Sequence, residues 1–114
     1  MTVVRWLSIS FALMLASPAS AQSKVYEGSE AAALRCANTL ALTAVALSDA
    51  GRMDEPEKEV IIGISFLMLE RHVSGSWPEK RAALEVVRDR RTVEETLSDF
   101  ERLAQRCLRQ FPIN

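Results

Sequence analysis

The chain reads as all-α: a small four-helix up-and-down bundle with one disulfide from the first helix to the last. Three observations predict it. After residue 28 the apolar side chains recur at a period near 3.6 almost without interruption. Helix start signals stand at Asp54, Ser76 and Thr92, with Gly51, Gly75 and Pro112 as stops. The only two cysteines, Cys36 and Cys107, fall where the first and last helices of such a bundle lie side by side. The 114 residues, 48% hydrophobic and 25% charged, suit one domain and exclude a two-domain enzyme. Four glycines and four prolines are too few for collagen or a disordered linker.

The N-terminal stretch reads as targeting. Arg5 precedes an apolar run over residues 6–16, followed by Pro18 and the small triplet Ala19-Ser20-Ala21. That order predicts a cleavable secretory signal peptide over 1–21, since a short apolar helix ends at the proline and small side chains fit the peptidase. Eleven apolar residues fall well short of the roughly 20 needed to span a bilayer. The expectation is export, to a bacterial periplasm, with no transmembrane anchor after cleavage and no lipid, because position 22 is Gln. Residues 22–28 lack periodicity and are expected to form a flexible arm, leaving 29–114 as a single helical domain.

The first helix, α1, is expected over residues 30–50, with Ser29 as N-cap and Gly51 in the left-handed position that ends it. Ala32, Ala33, Ala37, Ala41, Ala44 and Ala46 give it a small-residue surface that lets other backbones approach, which marks α1 as the central packing element. The second, α2, starts after Asp54, where Pro56 sits in the first turn and Glu57 is placed to reach back to the cap. It fades before Gly75. Ser76-Trp77-Pro78-Glu79 repeats the device for α3, which ends in Arg88-Asp89-Arg90-Arg91. Thr92-Val93-Glu94-Glu95 then opens α4, whose apolar seam is expected to be Val93, Leu97, Phe100, Ala104, Cys107 and Phe111, with Pro112 closing it.

Cys36 lies early in α1 and Cys107 late in α4, so antiparallel packing of the two helices brings them together. In an oxidising compartment they should bridge. A redox or metal pair is the competing use, but the spacing is not C-x-x-C and His72 is the sole histidine.

Catalytic chemistry finds no support. One histidine, with Ser65, Ser74 and Ser76 outside any G-x-S-x-G elbow, does not make a triad. The paired carboxylates Glu57 with Glu59 and Glu94 with Glu95 sit in first helical turns, where they complement the helix dipole. No phosphate-binding loop or H-E-x-x-H pair occurs. The expectation is therefore no enzyme, no resident cofactor and no metal. The sharpest cofactor alternative is a non-covalent haem between helices, with His72 and Met53 as axial ligands. Met68, one turn from His72 on the same helix, cannot serve opposite it.

Two surfaces are candidates for binding. Val60 to Leu69 is apolar over nearly three turns, so some of it needs a cover beyond this chain. Ile61, Gly63, Ile64, Leu67 and Met68 are the expected interface residues, facing a second copy or another protein, with Gly63 allowing close approach. On α4, Arg102, Arg106 and Arg109 form a basic stripe that would hold a phosphate-bearing or acidic partner, or be a solvated face. The formal net charge of −1 and the absence of aromatic groups among the arginines exclude nucleic acid.

In size, export signal, helical pattern and single disulfide the chain is similar in outline to the small acid-stress chaperones of the enteric periplasm, with no shared motif. The resulting expectation is a small exported, non-enzymatic interaction module, with chaperone-like protection in envelope stress as its sharper form. A cofactor-carrying bundle or a small-ligand-binding protein is the alternative.

Overall fold

The computed structural model describes residues 24–114. The expected signal peptide, 1–21, lies outside the described residues, as do residues 22 and 23 of the expected arm. Four helices follow: α1 (Gly28–Asp49), α2 (Glu55–His72), α3 (Trp77–Asp89) and α4 (Val93–Gln110), with no strand among the described residues.

Their ends follow from local chemistry. α1 stops in a Schellman arrangement: Gly51 takes φ +70°, its N–H bonds the Ser48 carbonyl, and the Arg52 N–H bonds the Leu47 carbonyl. Asp54 caps α2 by accepting from the Glu57 N–H at 2.9 Å. Ser76 and Thr92 form complete capping boxes with Glu79 and Glu95. Two local expectations fail. Ser29 is not the cap of α1, because it already lies inside the helix, which is entered through Glu27 and Gly28, the latter at φ +56°. Glu57 does not reach back over α2; the charge in that first turn is organised by Glu55, which pairs with Lys58 at 2.7 Å and accepts from Ser48.

α1 is the hub. It comes close to α2 most extensively, then to α4, then to α3, whereas those three scarcely approach one another. Ala33, Ala37 and Ala44 are essentially inaccessible, and their small side chains permit these approaches on several sides of one helix. α1 is long and apolar enough to cross a membrane, but half of that stretch is buried under the other helices. Leu34, Leu40, Met68, Leu69, Val73 and Phe111 complete the core, each contributing about 1.5–3 kcal/mol by leaving water.

The α4 seam is turned from the expected one. Phe100, Ala104, Cys107 and Phe111 face the core with Leu103, but Val93 is 47% exposed and Thr96 is buried instead. Val93 sits in the first turn, at the helix end, while the Thr96 hydroxyl donates back to the Thr92 carbonyl and enters the core with its polar group satisfied. The Cys36–Cys107 disulfide joins α1 to α4, with Cα atoms 5.6 Å apart.

One end of the bundle gathers the start of α1, the end of α2, the start of α3 and the end of α4, the up-and-down order. Residues 24–27 are not helical, as expected of an arm, yet they are fastened there. The Tyr26 hydroxyl donates to the Ser74 carbonyl at 2.7 Å, and the Lys24 ammonium reaches the Ser74 hydroxyl. Glu30 accepts from the Ser74 N–H at 2.6 Å. Gly75 is needed twice over: its φ is +95°, and a Cβ there would stand 2.9 Å from the Tyr26 hydroxyl.

Candidate functional site

The apolar run of α2 divides between core and solvent. Met68 is fully buried, so it is a core residue rather than an interface residue, and Ile61 and Ile64 are half-buried against the core. Gly63 and Leu67 remain at the surface, half-exposed. The outward side also carries Val60 and Phe66, 63% and 52% exposed, which the selection of interface residues from sequence passed over. Helical arithmetic explains the miss: ten consecutive apolar positions do not reveal which way the helix is rotated until α1 fixes it.

Trp77 extends this surface across the α2–α3 turn. Its ring meets Phe66 edge to face, with centroids 5.8 Å apart, and remains 41% exposed. The Lys80 ammonium, largely buried, lies 4.9 Å from the centroid of the same indole. Two aromatic rings are thus held in fixed positions on the outside of the bundle. Among the described residues nothing lies within 4 Å of a Cβ built on Gly63, so none of them requires a glycine there.

Carboxylates pin the turn beside this surface. The Ser74 N–H holds the Glu30 carboxyl below its ordinary value of 4.5, and the Ser76 N–H does the same for Glu79. Partial burial, with these two charges near, raises the Tyr26 phenol above 10.0.

The basic stripe of α4 is exposed at all three positions. Arg102 is held by Asp99 at 2.9 Å, an oxygen pair whose other member binds Arg91. Arg106 and Arg109 make no ion pair among the described residues.

The haem alternative loses its ligands. His72 Nε2 lies 2.7 Å from the Pro112 carbonyl, which requires that nitrogen to carry the hydrogen and donate it, and the ring stacks edge to face on Phe111. Met68 is in the core, and Met53 lies beyond the end of α1, at the opposite end of the bundle from His72. Among the described residues no three His, Cys, Asp or Glu groups cluster as a metal site.

The fold and this surface define an all-α, disulfide-closed domain with an exposed aromatic pair bridging α2 and α3. Comparison with protein-family models, with characterised proteins and with solved structures finds no match to this chain.

Proposed function

We propose that this protein is a non-enzymatic interaction module that works after export, in a periplasm, and that the outer side of α2 binds a second copy of the chain. The observation that carries the proposal is Gly63. Glycine in a helix interior costs about 1 kcal/mol relative to alanine, and no contact among the described residues accounts for it. Close approach of another helix does. Val60 and Phe66 stand three residues either side of Gly63, so two antiparallel α2 helices crossing at Gly63 set each Val60 against the other's Phe66. Such a contact is isologous and closes on itself. The disulfide supports an oxidising destination.

The experiment is sedimentation velocity on the oxidised protein across a concentration series, beside Phe66→Glu and Gly63→Leu. A dimer in the parent chain that becomes a monomer in both variants is the expected result. A parent chain that stays monomeric and binds no hydrophobic dye removes the reason for an interface on α2.

Protection of other proteins under acid is the sharper form of this reading. It is favoured by the Glu30 and Glu79 carboxylates, which accept from the Ser74 and Ser76 N–H groups in the turn between Phe66 and Trp77, contacts that protonation would weaken.

A further inference from the structure

A groove of about 490 Å³ runs between the N-terminal segment, the start of α1 and the last turns of α3. It lies away from the α2 surface, and its volume is in the range of small-molecule sites, roughly 300–1,000 Å³. Its lining is divided by chemistry. Ala83, Val86 and Val87 make an apolar floor over the buried Leu34, with Val86 43% exposed despite its place in the third turn of α3. The charged groups along it are Lys24, Arg35, Arg90 and Arg91, all cationic, with no carboxylate among the lining residues.

Two of those cations are already committed. Lys24 is on the Ser74 hydroxyl and over the Tyr26 ring, and Arg91 is held by Glu95 and Asp99. Arg35 and Arg90 are exposed, come from different helices, and make no ion pair among the described residues. The nearby carboxylates Glu30 and Glu79 are turned to the backbone N–H groups of Ser74 and Ser76. The groove thus pairs uncovered apolar surface with uncompensated positive charge.

We propose that this groove binds a free single-chain anionic amphiphile, a long-chain alkyl carboxylate, with the chain on Ala83, Val86 and Val87 and the headgroup between Arg35 and Arg90. The chain's own residues 1–23 are a poorer occupant: they are apolar but carry Arg5 and no carboxylate, so their charge has the wrong sign. Guanidinium groups suit a carboxylate because each offers it paired N–H donors.

The test is calorimetric titration of the oxidised full chain with monomeric dodecanoate, decanoate and octanoate, and with dodecanol and dodecylamine as neutral and cationic counterparts. Dodecanoate should bind one to one, at least tenfold tighter than dodecanol, and weaken about fourfold for each methylene removed. The double variant Arg35→Gln, Arg90→Gln should bind dodecanoate at least tenfold more weakly and dodecanol unchanged. Both arginines are exposed, so helical content should not alter, and circular dichroism confirms it. Val86→Asp should abolish binding of both. Equal affinity for dodecanoate, dodecanol and dodecylamine would overturn the proposal, as would a double variant that binds like the parent. Association with anionic phospholipid vesicles without binding of monomeric dodecanoate would also overturn it and reassign the groove to a membrane surface.

Discussion

Thr43 is the residue whose chemistry is least resolved inside this fold. Thr39, Ser65 and Thr96 each return a hydroxyl proton to the carbonyl four residues back, so their burial leaves no orphan group. Thr43 is 1% exposed, and its hydroxyl oxygen has no hydrogen-bond partner among the described residues. Replacing an unsatisfied buried hydroxyl by a methyl removes its desolvation penalty at nearly constant shape. Thr43→Val is therefore expected to stabilise by about 1 kcal/mol, which raises Tm by roughly 4–8 °C in a domain of this size. Thermal unfolding followed at 222 nm checks it, and a fall in Tm would show that the hydroxyl has a partner. Nothing in the sequence separates Thr43 from the other three, since all are hydroxyl residues inside helical runs. His72 makes the same point, for its bond to Pro112 spans 40 residues and has no local signal.

Between elements, the α2–α3 turn depends on charge. Glu30 reaches it from α1 and Glu79 from α3, while Lys24, Lys80 and Tyr26 are the other titratable groups around them. Both carboxyls titrate below 4.5 in the folded chain, so their stabilising contacts are complete above that value and are lost as pH falls through the lowered one. The protection of the Ser74 and Ser76 amides against hydrogen exchange should be level from pH 7 to about 4.5 and decline below it. Glu30→Gln should leave Ser74 weakly protected at every pH while Ser76 keeps its acid-dependent step. If Ser74 protection does not change with acid in the parent chain, the carboxylate does not hold the turn. The start of α3 was legible because Ser76 and Glu79 are three residues apart; the Glu30 contact was not, because it joins residues 44 apart.

Over the whole molecule, stability rests on α1 and on one covalent closure. The backbones of α2, α3 and α4 come close chiefly to α1, with side-chain contacts such as Phe66–Trp77 and His72–Phe111 between them, and α4 is the one also tied to α1 by sulfur. The bridge closes a separation of 71 residues, for which the loop-entropy model gives about 4 kcal/mol. The Cys36→Ala, Cys107→Ala variant should lower the urea midpoint by a corresponding amount, with α4 amides exchanging before those of α1 and α2. A midpoint within experimental error of the parent would place the closure of the bundle in apolar packing alone. The bridge itself was legible in the sequence, since a cysteine early in the first helix and one late in the last fall at the same end of an up-and-down bundle.

The number of helices, the caps at Asp54, Ser76 and Thr92 and the pairing of the cysteines came from signals only a few residues long, or from a period that one helix displays alone. Those features depend on backbone hydrogen bonding and on connectivity, which the order of residues carries directly. Rotation about each helix axis does not. That Met68 turns inward and Phe66 outward, that Thr96 displaces Val93 from the core, and that Arg35 and Arg90 share an acid-free groove were set when α1 took three partners at once. Side-chain burial is a property of neighbours distant in sequence, so it appears only when the helices have packed.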